Sequence, residues 1–441
     1  MKNQCLKEFA KYSSCNVIGM IGLSCYILGD TFFVAKALGT DGLTALNFCI
    51  PVYSIMAAVG LMIGIGGAAR YTIFRASGEK EISDTVFMHS LVLGGAAAVI
   101  FTVIGLLFAK PIVSLLGAEG HVLTLSEIYV KTLLCFSAVF LLNNILLAFV
   151  RNDGNPALSM TAMLVSSFSN IILDYIFLFP MKMGMFGAVF ATGLSPLISI
   201  IILSLHFFKR KNGFGLCKFK PELKRFTGIL SLGLSSFVTE MSSAISVLVF
   251  NLVILGISGS IGVAAYGVVA NVALVAISIS NGVAQGMQPL ASKYYGGGES
   301  SKLKKVYYYG AVSVLTTAAL VYIFSFLFTN NLVKAFNSEN DLVLQTLAEK
   351  GVRLYFSGFF FSGINIITAA FISATANARD AFIISILRSC VLLILMVFLM
   401  SKLFEMNGVW LSFVATEFIV MAVSIFMFRK NINSRVNEIS L

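Results

Sequence analysis

The chain has 441 residues, 58% of them hydrophobic and only 12% charged, with a mean hydropathy of +0.92. Soluble domains average about 45–50% apolar and about 25% charged residues, so a soluble fold of this length is excluded and an integral membrane protein is expected. The net charge of +11, from 31 Lys and Arg against 20 Asp and Glu, would point to nucleic acid in a soluble protein, but its distribution argues otherwise.

A spanning helix needs roughly 20 apolar residues, so at about 36 residues per helix and connection the chain has room for roughly twelve passes. The apolar runs are continuous, unlike the alternating segments of about ten residues that build a membrane barrel. Lys2, Lys7 and Lys11 open the chain, with no short apolar stretch ending in a small-residue cleavage site, so the first run is expected to be a retained span. Runs follow at 12–35, 43–69, 86–109, 125–150, 157–181 and 184–208. After the basic stretch KRKNGFGLCKFKPELKRF at 209–226 they resume at 227–255, 261–290, 306–329, 347–375, 381–404 and 407–428. The fold expected is therefore all-α, with twelve transmembrane helices in an N-terminal lobe (1–208), a basic linker (209–226) and a C-terminal lobe (227–441).

The loops set the orientation. The two termini and the loops on their side carry 22 Lys and Arg, and the opposite loops carry 8. By the positive-inside rule both termini and the linker are expected in the cytoplasm, with no call for nucleic acid. The seven cysteines form no CxxC pair, so neither a disulfide framework nor a zinc site is indicated.

The two halves repeat each other. Shifted by 220, Gly39, Gly42, Ala45, Val52, Gly66, Gly78 and Glu79 meet Gly259, Gly262, Ala265, Val272, Gly286, Gly298 and Glu299. Shifted by 222, Leu125, Glu127, Val130, Asn143, Ile145, Ala148, Phe149 and Asn155 meet Leu347, Glu349, Val352, Asn365, Ile367, Ala370, Phe371 and Asn377. Each half holds six spans, so both enter the membrane the same way round, as parallel repeats with a binding region between them in many transporters.

Charge inside a bilayer is costly, at least about 2.5–3.5 kcal/mol per group on insertion scales, so the intramembrane ionisable residues are the first functional candidates. Asp30 in the first run and Asp174 in the fifth fall at similar depth, with Asn170 one turn before Asp174 and Thr192 eight residues into the sixth run. Two carboxylates, an amide and a hydroxyl suit a hard cation such as Na⁺, or a shared proton. The competing reading is that the acids only accept hydrogen bonds from neighbouring helices. In the seventh run Glu240 is a candidate for a cationic substrate or a second cation, with Asn251 nearby. Asn281, Gln285 and Gln288 follow one face of the eighth run, where cavity lining and packing are equal readings. Asn365 and its repeat partner Asn143 read first as interhelical glue. Arg388, about two turns from the end of the eleventh run, is expected to snorkel to the surface, and Glu417 has no visible partner. His89, His121 and His206 stand isolated near helix ends and are expected to be inert. There is no HExxH, GxSxG or P-loop, so an enzyme is not indicated and uphill transport would draw on an ion gradient.

The segments GDTFFVAKALGTDGLTAL, VRNDGNPALSMTAM, SNIILDYIF, GMFGAVFAT and AAYGVVANVAL…NGVAQGMQPLASKYYG resemble the MATE (multidrug and toxic compound extrusion) family of the MOP flippase superfamily. The resemblance runs from the first span to the twelfth and is strongest to the Gram-positive multidrug pumps. It implies a V-shaped pair of six-helix bundles and antiport of amphipathic, often cationic drugs or metabolites against Na⁺ or H⁺, by alternating access in the cytoplasmic membrane. It places the family's helix 1 acid on Asp30, its helix 5 N-x-x-x-D pair on Asn170 and Asp174, its helix 6 threonine on Thr192, a helix 4 tyrosine on Tyr129 and its helix 7 acid on Glu240. Two positions depart from the family: Ile27 stands where an Asn is frequent, and Asn365 stands where some members carry an acid. The coupling ion is the only small group the resemblance implies besides the exported molecule; no cofactor is expected, and a monomer is. The alternative function is a flippase for a lipid-linked saccharide, which would need a cationic cavity.

Overall fold

The structure, a computed structural model, describes residues 2–208, 212–337 and 341–439. Lys209, Arg210 and Lys211, the first residues of the predicted linker, lie outside the described residues. Among the described residues every regular element is helical. Nine helical segments are long and apolar enough to cross a membrane when the bent pair Gly120–Cys135 and Ser137–Asn152 counts as one. Three of them contain a backbone break at Gly39, at Gly259 and at Phe404–Glu405, and each break separates two passes.

The resulting twelve are span 1 (2–38), span 2 (40–76), span 3 (Lys80–Leu115), span 4 (Gly120–Cys135 and Ser137–Asn152), span 5 (Pro156–Leu178) and span 6 (Gly184–Phe208). Span 7 (223–258), span 8 (260–296), span 9 (Ser300–Leu327), span 10 (Leu342–Tyr355 and Phe359–Ala374), span 11 (378–403) and span 12 (405–439) complete them. Span 1 begins at Lys2, not at the predicted residue 12. The lysines mark where a helix leaves hydrocarbon; they do not break its backbone hydrogen bonds.

The repeat is visible in the backbone. Gly39 (φ 66°, ψ −153°) and Gly259 (φ 63°, ψ −156°) turn the chain between spans 1 and 2 and between spans 7 and 8. That region of φ/ψ space is open essentially to glycine alone, which is why both halves keep it there. Lys182 and Glu405 both have φ 50°; Lys182 precedes the sixth pass and Glu405 opens the twelfth. Asn155 and Asn377 each cap the following helix by accepting from the backbone N–H three residues on, at Leu158 and Asp380. Span 4 bends by 52° at Phe136, and span 10 tightens into a 3₁₀ turn over Phe356–Gly358 at the corresponding place.

The chain forms two compact units. One comprises Ser14–Glu240 and Ser292–Glu299; the other comprises Met1–Ser13, Met241–Ala291 and Ser300–Leu441. In the first unit Leu133, Leu134, Val130 and Tyr129 of span 4 are buried against Val34 and Cys49, and Phe149 is buried with Tyr71 and Phe87. In the second, Trp410, Phe250 and Phe356 are fully buried and Tyr355 stacks on Phe413 at 4.2 Å.

Small residues set the closest helix approaches. A Cβ on Gly66 of span 2 would lie 2.1 Å from the carbonyl oxygen of Ile229, and one on Gly233 would lie 1.8 Å from that of Met62. Backbone meets backbone there. The repeat partner of Gly66, Gly286 in span 8, meets Ser13 of span 1 in the same way, with 2.6 Å to its Cα.

The linker from Asn212 onward is docked on the first unit. Phe214 is 2% exposed and sits among the rings of Tyr71, Phe87, Phe149, His206 and Phe207. Asp153 accepts from Tyr71 Oη at 2.6 Å and from the Gly213 N–H, and pairs with His206 Nε2 at 2.9 Å. Arg75 donates to the Gly213 carbonyl at 2.6 Å, and the Glu222 N–H donates to His89 Nε2 at 3.3 Å. Arg225 binds the Glu222 carboxylate through two nitrogens and holds it below the usual carboxylate range. The histidines are therefore not isolated: His89 and His206 pin the linker, and His121 meets Asp41 at 3.2 Å.

Two substitutions and a control test this packing. Phe214→Ala empties an aromatic cluster and should lower unfolding stability by about 3 kcal/mol, read as a lower thermal midpoint in detergent. Gly66→Val drives a side chain into the span 7 backbone and should cost about 1–3 kcal/mol or more, whereas Gly95→Ala, at a position with open space around it, should leave the midpoint unchanged.

Candidate functional site

The first unit gathers the predicted acids. Glycines at 19, 22 and 29 lay span 1 directly on span 5: their added Cβ atoms would meet Met163 at 3.0 Å, Leu164 at 2.6 Å and Ile171 at 3.3 Å. This seam brings Asp30, next to Gly29, toward Asn170 and Asp174, which flank Ile171 on span 5. Span 6 is held close in turn by Gly193, whose Cβ would meet the Phe136 ring at 2.6 Å, at the bend of span 4.

All five predicted cation ligands are buried: Asp30, Tyr129, Asn170, Asp174 and Thr192. Asp30 lies within electrostatic range of Asp174 and of the hydroxyls of Tyr26, Tyr53 and Tyr129, and Tyr129 within range of Asp174. One oxygen of Asp30, both oxygens of Asp174 and both polar atoms of Asn170 are buried with no hydrogen-bond partner among the described residues. Thr192 Oγ1 donates to the Ala188 carbonyl at 3.0 Å, which leaves its lone pairs available. Two carboxylates cannot both stay charged and unpaired in an apolar interior. The unpartnered oxygens of the cluster are of the donor type that hard cations take.

Two tyrosines of this site were not singled out from the sequence. Tyr26, one turn before Asp30, and Tyr53 of span 2 share a hydrogen bond of 3.1 Å between their hydroxyls. The only sequence signal for them is position, one turn from the acid in the first case and none in the second.

The residues predicted to hold substrate or a second cation divide differently. Glu240 belongs to the first unit, where it lies within electrostatic range of Tyr53. Asn251, Asn281, Gln285 and Asn365 belong to the second. The Asn251 carbonyl oxygen is buried without a partner among the described residues, while Asn281 and Gln285 are partly buried. Asn365 is fully committed. Its amide donates to the Glu417 carboxylate at 2.7 Å and to the Glu417 carbonyl at 2.8 Å, and its oxygen accepts from Ser424 at 2.9 Å. Its repeat partner Asn143, by contrast, has a buried oxygen with no partner among the described residues.

Arg388 does not snorkel. Its Nε donates to Glu417 Oε1 at 2.6 Å and its Nη2 to Ser362 Oγ at 2.8 Å, so the acid that had no visible partner in the sequence is paired from the neighbouring span. A separation of 29 residues along two different helices leaves no periodic trace, which is why the pair was not legible.

The fold matches known transporters over nearly its whole length. An outward-facing multidrug resistance MATE family transporter of the MOP superfamily superposes with a TM-score of 0.93 at 24% identity, covering 98% of this chain and 96% of that one. A MOP superfamily transporter from Pyrococcus furiosus, whose reversed pocket polarity suggests a different function, superposes at 0.91 with 25% identity over 97% of this chain and 96% of that one. In sequence, the multidrug export protein MepA of Staphylococcus aureus strain MSSA476 is 26% identical over 432 residues, and its Staphylococcus saprophyticus counterpart 24%. Both alignments cover 97% of this chain and 94% of the relative. The relatives are export proteins and not enzymes, and the many apolar passes agree with a multi-pass membrane protein. The MatE family model matches residues 17–176 and 234–399, one match in each half, and the chain belongs to that family.

Proposed function

We propose that the chain is a cation-coupled multidrug exporter of the cytoplasmic membrane, with both termini in the cytoplasm, that exchanges amphipathic and often cationic small molecules for Na⁺ or H⁺. The observation that carries the coupling is the cluster of buried, unpartnered oxygens on Asp30, Asn170 and Asp174, with Tyr129 and Thr192 around it. An entering cation would neutralise the two acids and draw span 1 onto span 5 through the Gly19–Gly22–Gly29 seam. Export follows if substrate binding from the cytoplasm and cation binding from outside favour opposite conformations of span 1. Glu240, which shares Tyr53 with Asp30, is the residue best placed to relay the state of that cluster toward a cationic substrate. The Staphylococcus relatives named for multidrug export support the substrate class. A lipid-linked saccharide flippase fits less well, because Arg388, the one basic residue deep in the apolar runs, is spent on Glu417.

Efflux of a fluorescent cationic dye from proteoliposomes, under separately imposed Na⁺ and pH gradients, tests the reading. Asp30→Asn and Asp174→Asn should each reduce gradient-driven efflux at least about tenfold, and the gradient that drives the wild type identifies the ion. Full efflux in both variants would make the acids structural. Asn170→Ala removes one uncharged donor and should raise the half-saturating cation concentration about tenfold with the maximal rate little changed, because one hydrogen-bond-strength contact to a charge is worth about 1.5 kcal/mol.

A further inference from the structure

The second unit contains a buried polar cage that no part of the export mechanism above uses. Glu417 is 2% exposed, Asn365 and Ser362 are fully buried, and Ser424 is fully buried. Both carboxylate oxygens of Glu417 are engaged: Oε1 with Arg388 Nε at 2.6 Å and Oε2 with Asn365 Nδ2 at 2.7 Å. Ser362 accepts the second contact of the guanidinium, and Ser424 fixes the orientation of the Asn365 amide. Apart from the guanidinium and the Asn365 amide nitrogen, the polar side-chain atoms of the cage are oxygens drawn from spans 10 and 12.

Two independent features say that the arginine was brought to this cage by a local device. Leu387–Val391 forms a π turn, with the Leu392 N–H reaching back five residues to the Leu387 carbonyl. Such a one-residue bulge rotates the side chain it contains and is a frequent mark of a functional position in a helix. The repeat supplies the second feature. Spans 5 and 6, the counterparts of spans 11 and 12, are also tied by a polar contact, Ser166 Oγ donating to the Ser195 carbonyl at 2.7 Å. The corresponding helix pair is bridged in both halves, neutrally in one and by an ion pair in the other.

We propose that Arg388 is a resident, covalently tethered cation in a cage that would otherwise take an exchangeable one, so that Glu417 stands outside the ion-exchange cycle. The guanidinium edge spans Glu417 Oε1 and Ser362 Oγ, the two oxygens that a monovalent metal ion or a proton would have to satisfy in its absence. Ser385, one turn before the arginine, and Ser389, the residue after it, carry buried hydroxyls with no partner among the described residues. Tyr355 lies within electrostatic range of both Glu417 and Arg388.

The test uses the full-length protein in detergent carrying Asp30→Asn and Asp174→Asn, so that its outcome is independent of the role given to those acids. Thermal unfolding is followed in NaCl and KCl series balanced with choline chloride, and as a function of pH. The background protein, with Arg388 intact, should show no cation-dependent shift from this cage. Adding Arg388→Met should create one, an increase of about 3 °C or more with Na⁺, K⁺ or acid. Adding Glu417→Gln as well should remove it, and Arg388→Lys should behave as the background. Recovery of folded Arg388→Met only at high salt or low pH counts as the expected result. An Arg388→Met protein that folds without any cation response, one whose response persists with Glu417→Gln, or one that fails to fold at every salt and pH while the double variant folds, overturns the proposal. Failure of the double variant to fold also overturns it, because the pair would then be an irreplaceable brace.

Discussion

A carboxylate in an apolar interior has to be neutralised, and the chain meets that constraint in two opposite ways. In one unit Asp30 and Asp174 are left with oxygens that nothing among the described residues satisfies. In the other, Glu417 receives a guanidinium and an amide at hydrogen-bonding distance. The architecture around each follows from this difference. Glycines thin span 1 where it must lie against span 5 beside the unpaired acids, and a π turn swings Arg388 inward where the acid is paired. On the function proposed above, the first arrangement leaves room for an exchangeable ion. The second gives that possibility up for a fixed charge, at the cost of desolvating both partners.

The parts of this organisation that were legible in the sequence are those written in local or periodic signals. Apolar run length gave twelve passes, and the structure has twelve once the breaks at Gly39, Gly259 and Phe404–Glu405 are recognised. The 220-residue and 222-residue correspondences placed Gly39 opposite Gly259 and Asn155 opposite Asn377, and these pairs share a backbone turn or a helix cap. Asp30, Asn170 and Asp174 stood out because polar residues within apolar runs are rare. What sequence could not supply was partnership across helices. Arg388 and Glu417, Tyr26 and Tyr53, and Asp153 and Gly213 are joined only by packing, with no spacing rule to connect them.

The linker shows the same limit. Its basic composition read as a tether, and composition is silent about Phe214, a single ring that inserts among five others. Docked in this way, residues 212–222 belong physically to the first unit, with Asp153, His206 and His89 holding the backbone of the segment that the sequence marked only as a basic linker.

The glycine contacts of spans 2 and 8 tie the two halves of the sequence together. Gly66 packs on Gly233, and Gly286 packs on Ser13; shifted by 220, Gly66 becomes Gly286 and Ser13 becomes Gly233. The two contacts are therefore images of each other under the repeat. In each contact one half of the sequence supplies the glycine and the other half its cover, so neither half closes this seam by itself.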